Sequence, residues 1–227
     1  ARDVSRAARF APFGWREGHP RPIAILEPGS SIRAFDHMEE AVVRAMARWP
    51  NVPDCYGWLT LTRRGEWRIG ERRERIAHRG LSEFINRNYL AGERGAWFFQ
   101  NGPQRVWVSL DYMPLVYRSG HDEPTQLTAH TGTPARSIER MAIDQDGSLI
   151  LVTELGPGVL DDRDLAAMLP MIHASSGRAL EDCLVDADEA LRFGPTGMPV
   201  EHLSADSLET EFGFVRHPSA PISANRS

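Results

Sequence analysis

All 26 basic residues in this 227-residue chain are arginine, which decides much of the chemistry the sequence can offer. Without lysine there is no Schiff base to a ketone or to pyridoxal phosphate, no Walker-A lysine and no kinase-type lysine. Arginine stays protonated and cannot act as a neutral amine, but its planar fork binds carboxylate or phosphate bidentately. The arginines are crowded: seven fall between Arg63 and Arg79, against Glu66, Glu71 and Glu74, with Trp67 among them. Basic residues interleaved with an aromatic suit single-stranded nucleic acid. Residues 181–211, however, hold nine carboxylates against Arg192 alone. The simpler expectation is therefore that this acidic segment, or a partner chain, lies across the basic hairpin, with nucleic acid a minor alternative.

A second set of residues stands in GAWFFQNGPQRVWVSLDYMPLVYR. Strand alternation puts Phe98 on one face and Trp97 with Phe99 on the other, while Val106, Val108 and Leu110 oppose Arg105, Trp107 and Ser109. Both faces thus carry large apolar groups. Either helices cover the sheet on both sides, which we favour, or one aromatic face is a binding platform. The candidate ligand-binding residues of such a platform are Trp97, Asn101, Gln104, Arg105, Trp107 and Arg118.

Other constellations are weak. His121, Asp122 and Glu123 share a loop and His130 lies a strand away, but nothing in the spacing assembles them into a metal or acid/base site. Asp144-Gln145-Asp146-Gly147 has its glycine two positions too early for a calcium loop and suits a hairpin turn. Asp161, Asp162 and Asp164 read as a helix cap and dipole complement. Cys55 and Cys183 fit no zinc or disulfide framework and read as small buried residues. No GxSxG, HExxH, Walker-A or GxGxxG motif occurs, so no catalytic residue, metal or cofactor is assigned.

The elements that must position these groups follow from periodicity and punctuation. Residues 1–30 read as an extended arm. A helix from Ser30 or Ser31 carries Phe35, Met38, Val42, Met46 and Trp49 to Trp49-Pro50. WLTL and EWRIG form a hairpin about Arg63-Arg64-Gly65, and a second helix spans about His78 to Tyr89. Asn101-Gly102 turns the clearest hairpin, its loop expected to exceed two residues because Pro103 removes a donor. Leu115–Arg118 and Gln126–His130 add strands.

Two stretches repeat, WLTLTRRGEWRIGERRERIAHRGLSEFI and RMAIDQDGSLILVTELGPGVLDDRDLAAML. Each gives strand, tight turn, strand, loop and helix, with Gly65 and Gly147 in matching places. The separation of about eighty residues suggests a duplicated unit rather than a solenoid, although hairpin-then-helix units also align by coincidence. The expected fold is α+β, with two related strand-turn-strand-loop-helix units and mixed or antiparallel sheets. Its parts are an arm and helix over 1–50, a first unit over 51–125, a second over 126–180, and an acidic segment with a disordered tail over 181–227. ALEDCLVDADEALRF reads as a short helix broken by GPTGMP, and HPSAPISANRS as the tail.

GEWRIG, the helix around LSEFI, GAWFFQNGPQRVWV and Pro114 together resemble an uncharacterised proteobacterial family of unknown function. The stretch is also similar to a related bacterial unknown-function family with a repeated α+β motif in two similar domains and a suggested signal-transduction or ligand-sensing role. The resemblance covers roughly residues 50–170 and brings no catalytic residues. It implies a ligand-binding or regulatory protein of two related units with a site where they meet. An enzyme acting on an anionic small molecule is the alternative, and nucleic-acid binding through Arg63 to Arg79 a weaker one. A small anionic ligand or a protein is the expected partner, and a homo-oligomer is left open. The basic N-terminus lacks a signal-peptide core and no run reaches a membrane span. A cytoplasmic location is therefore expected, with a leader lost before Ala1 left open.

Overall fold

The computed structural model describes residues 40–49, 51–178, 180–183 and 189–220. The arm and the expected first turns of the N-terminal helix lie outside them, as do residues 221–227 of the tail. What remains of that helix is α1 (Glu40–Arg48), in which Arg44 bonds Glu40 at 3.2 Å. The fold is α+β, with two sheets and short helices. Among the described residues, no helix is long and apolar enough to cross a membrane.

The chain divides into two compact units. One takes in Ala1–Thr60, Trp67–Ser109 and His217–Ser227, the other Leu61–Glu66 and Leu110–Arg216. The first sheet is built from β1 (Cys55–Leu61), β2 (Trp67–Ile69), β3 (Glu74–Arg75), β4 (Tyr89–Ala91), β5 (Trp97–Asn101) and β6 (Gln104–Leu110). Its strand order is β3-β2-β1-β6-β5-β4. Helix α2 (Arg79–Arg87) starts where His78 accepts the Leu81 N–H at 3.1 Å, and it buries Phe84 and Ile85. It stops short of the expected Tyr89, which is extended and opens β4 opposite Phe99. Phe84 meets Phe99 edge-on at 5.4 Å, and the Trp67 indole donates to Asn86 at 2.7 Å. Beneath the helix, Ile69, Ile76, Leu81, Ile85 and Phe99 line a wholly apolar gap of about 10 Å³. That is the size of one water and offers it no partner, so it is a packing defect rather than a ligand cavity.

The second sheet adds β7 (Leu115–Ser119), β8 (Leu127–Ala129), β9 (Ile138–Asp144), β10 (Leu149–Thr153), β11 (Gly156–Leu160), β12 (Ile172–Ala174), β13 (Leu191–Phe193) and β14 (Met198–Leu203). Their order is β12-β13-β14-β9-β10-β11-β7-β8. Leu149, Ile150 and Leu151 of β10 are all fully buried, so this strand is covered on both faces. β11 runs parallel to β7, where Gly158 lies opposite Leu115; a Cβ on Gly158 would stand 2.6 Å from the Tyr117 ring.

The two sheets share one topology, which carries the repeat further than the sequence suggested. β9 to β14 stand in the order 11-10-9-14-13-12, the order 3-2-1-6-5-4 of the first sheet; β7 and β8 are extra. The first hairpins match bond for bond. Gly65 donates to Thr62 and Thr62 to Glu66, as Gly147 donates to Asp144 and Asp144 to Ser148. Both glycines are left-handed, at φ +74° and +77°, where a side chain is strained. A capped helical segment comes next in each copy: His78 opens α2, and Asp161 accepts the Arg163 N–H to open a 3-10 turn leading into α3 (Leu165–Met168). The copies thus run Cys55–Leu110 and Ile138–Leu203. In place of the expected short helix through Phe193, α4 spans Leu180–Cys183 and Leu191–Phe193 is a strand, followed by β14 and then α5 (Leu208–Phe212). β14 lies inside the sheet, parallel to β9 and antiparallel to β13, and Leu191 and Phe193 of β13 and Val200 of β14 are buried.

Candidate functional site

The β5–β6 hairpin turns through two residues only, Gly102 and Pro103, with Asn101 opposite Gln104. Gly102 takes the left-handed conformation (φ +57°), and Pro103 occupies a turn position whose missing N–H breaks no ladder bond. The expected longer loop is therefore not needed. This short turn fixes the register: Phe98 faces Trp107, Phe99 faces Val106, and Gln100 faces Arg105.

Phe98, Gln100, Arg105 and Trp107 consequently share one face of the first sheet. Phe99, Val106 and Val108 share the other and are buried, as are Phe98 and Gln100 of the first; Arg105 is exposed and Trp107 half-buried. On the first face, the Trp107 ring stacks on Tyr56 at 5.9 Å and 12°, and lies 5.4 Å from Phe98. Its indole N–H donates to Asp54 at 2.8 Å. The Arg105 guanidinium lies 5.1 Å over the Phe98 ring; it is exposed and makes no ion pair or hydrogen bond among the described residues. The Tyr56 hydroxyl is held above the ordinary phenol range by burial, and further by the charge and hydrogen bond of Asp54.

Of the six residues expected from sequence, this face gathers Arg105 and Trp107. Alternation sends Trp97, Asn101 and Gln104 to the other face; Trp97 packs on Tyr89 at 5.0 Å, and Gln104 donates to the Pro53 carbonyl at 3.0 Å. Arg118 belongs to the other unit, where it bonds Asp164 at 2.7 Å and pairs with Asp161 at 3.6 Å. Asp54, Tyr56, Phe98 and Gln100 join the face without having been singled out. The β5–β6 register, set by the loop length, places Phe98 and Gln100, whereas Asp54 and Tyr56 come from the start of β1 and the residue before it.

The second copy supplies an internal comparison. There Phe193 and Val200 face inward, and the opposite face carries Arg192 paired with Pro199, both exposed. The topology alone therefore places no demand for aromatic rings on this side of the sheet.

In the second unit, Arg63 and Arg64 of the basic hairpin pair with none of the described residues of 181–211. Arg63 stacks on the Tyr112 ring at 4.1 Å and donates to Ser148, while Arg64 makes a fork to Asp162, at 2.7 Å from one nitrogen. The acidic segment answers other arginines: Arg140 bonds Glu201 and, at 2.6 Å, Glu211. Asp161 is fully buried; burial works to raise its pKa, but the hydrogen bonds and charge of Arg163, with Arg118 nearby, outweigh this and hold it below the ordinary value. Buried Asp144 accepts the backbone N–H groups of Asp146 and Ser148 at 2.9 and 2.7 Å, and the Tyr112 hydroxyl. It is a turn anchor. His121 pairs with Asp122 in the open. His130 bonds Val116 through both its backbone and its ring. The residue keeps some exposed surface, but its Nε2 is sealed from solvent, and burial pushes the ring pKa down to about 3. Among the described residues, no group of three His, Cys, Asp or Glu is placed to hold a metal.

A family model described as "Protein of unknown function (DUF2946)", named DUF2944, matches residues 38–219. The match reaches beyond residues 50–170 to take in α1 and the acidic segment. No curated protein matches. Among solved structures, the chain is similar to a DUF1285 family protein from Silicibacter pomeroyi DSS-3, at 14% identity and a TM-score of 0.47, covering 81% of this chain and all of that one.

Proposed function

The chain belongs to the DUF2944 family of proteins of unknown function, and we propose that it is a non-catalytic ligand-binding or regulatory protein that holds a small anion on the Tyr56, Phe98, Arg105 and Trp107 face of its first unit. One observation carries this. An exposed arginine without a carboxylate partner lies against clustered rings, on a face that the second copy builds from exposed Arg192 and Pro199. The half-buried Tyr56 and Trp107 rings, with buried Phe98 behind them, offer a flat apolar wall, and the guanidinium offers two parallel donors to a carboxylate or phosphate. Asp54 anchors the Trp107 indole, so part of the wall is already ordered when a ligand arrives.

The test uses the full chain and a panel of benzoate, indole-3-acetate and phenyl phosphate, followed by ligand-observed NMR and tryptophan fluorescence. At least one member binds, and Arg105→Ala weakens it about tenfold to a hundredfold, the range for a charge-assisted hydrogen-bonded contact. Arg105 is exposed, so its loss leaves the fold intact. Failure of all three probes to bind, or binding indifferent to both Arg105→Ala and Trp107→Ala, overturns the proposal.

A further inference from the structure

Asp54 and Arg105 are both exposed, beside the half-buried rings of Tyr56 and Trp107. The Asp54 carboxylate accepts the Trp107 indole N–H at 2.8 Å through one oxygen, and a carboxylate has room for several donors more. The Arg105 guanidinium rests over the Phe98 ring at 5.1 Å. Tyr56 registers both charges: burial raises the pKa of its hydroxyl, Asp54 raises it further, and Arg105 works the other way. A carboxylate and a guanidinium therefore lie close to one hydroxyl. Among the described residues, they pair neither with each other nor with any other charged group. Each is held by an aromatic ring instead.

This arrangement discriminates between anions. A ligand that carries only a carboxylate meets the like charge of Asp54 as it reaches Arg105. An ammonium group next to that carboxylate turns the repulsion into a second attraction. Both protein groups are open to solvent, so the ligand need reach no buried atom. The indole already orders Asp54, which lowers what binding must spend on fixing it.

We infer that the face binds a small zwitterion of the amino-acid class, with its carboxylate on Arg105 and its ammonium on Asp54. This rests on the anion-binding role proposed for the face and narrows it. The exposed parts of the Tyr56 and Trp107 rings take the apolar side chain of the ligand.

The full chain is titrated at low salt with L-phenylalanine and with 3-phenylpropanoate, the same molecule without its ammonium group, and ligand-observed NMR gives both affinities. The wild-type protein prefers L-phenylalanine by about fivefold, the upper end for an ion pair in the open. Asp54→Asn keeps a carbonyl oxygen for the Trp107 indole but removes the charge, and it brings the two probes within about twofold of each other. Arg105→Ala weakens both. Equal or tighter binding of 3-phenylpropanoate by the wild type overturns the ammonium requirement and leaves the anion site standing. Retention of the preference in Asp54→Asn overturns the assignment to Asp54. If neither probe binds, this inference falls, and the panel of benzoate, indole-3-acetate and phenyl phosphate decides separately whether the anion site falls with it. The wild-type comparison needs no variant, so it decides the ammonium requirement even if Asp54→Asn does not fold.

Discussion

Gly65 and Gly132 provide a matched pair for weighing backbone strain against steric crowding. Both lie in the second unit and both are left-handed, at φ +74° and +88°. Alanine at either should cost about 1–2 kcal/mol for the backbone conformation alone. The surroundings differ. A Cβ at Gly132 meets nothing within 4 Å, whereas one at Gly65 stands 2.8 Å from His130 Cβ and 3.6 Å from Val116 Cβ. His130 cannot easily retreat, because its backbone N–H donates to Val116 O at 2.7 Å and its Nδ1 accepts from Val116 N at 3.3 Å. Overpacking of this kind adds about 1–3 kcal/mol. Gly132→Ala should therefore lose about 1–2 kcal/mol and Gly65→Ala about 2–5 kcal/mol. Equilibrium urea denaturation of the full chain measures both, with unchanged slopes as the check that only stability moved. Equal midpoint shifts would refute the close approach of the Gly65 turn to His130.

His130 makes stability depend on pH. Its folded pKa, about 3, lies below the value near 6.5 that it regains on unfolding, so the unfolded chain binds the extra proton between these limits. Its contribution is complete above pH 6.5 and is lost as the pH falls toward 3, at about 1.4 kcal/mol per unit. Urea midpoints between pH 7.5 and 5 should fall more steeply for the wild type than for His130→Gln, and parallel profiles would contradict this. Tyr112→Phe removes the hydroxyl that Asp144 accepts in a buried setting and should cost about 1.5–3 kcal/mol; a melting temperature within a degree of wild type would show the bond to be idle. Gly158→Ala forces a Cβ to within 2.6 Å of the Tyr117 ring and 2.7 Å of the Leu115 carbonyl, so about 2–3 kcal/mol should be lost. An unshifted urea midpoint would count against the tight β7–β11 packing.

The local parts of the fold were readable where a few adjacent residues decide the outcome. Gly65 and Gly147 turn their hairpins because the left-handed position disfavours residues with a Cβ, and His78 and Asp161 cap the helical segments of the two copies. The β12 to β14 strands were not readable, because two of them have three residues each and lie among Gly, Pro and acidic side chains. β14 takes its place by parallel pairing with β9, more than fifty positions away, and β13 and β12 follow on its far side. Local propensity cannot carry such information. Arg105 and Trp107 stand out by type, but the company they keep comes from a two-residue turn where Pro103 argues for a longer one. A longer loop would have left the register open, and with it the places of Phe98 and Gln100. Arg118 looked like a neighbour only because it comes soon after in the chain; Leu115–Ser119 joins the second sheet, beside β11.

The second unit is discontinuous in the chain: Leu61–Glu66 belongs to it, and its remainder begins at Leu110. During synthesis that six-residue turn emerges early and then waits. The groups that bind Arg63 and Arg64, on Ser148 and Asp162, come 85 and 98 positions later. Contacts of such separation close large loops and form slowly. A gene fragment starting at Leu110 would therefore encode an unfinished unit, with the Tyr112 ring uncovered by Arg63 and the Asp162 carboxylate left to water. Supplying Leu61–Glu66 as a separate peptide would have to restore both, at the cost of the chain connection that otherwise holds the turn close at hand.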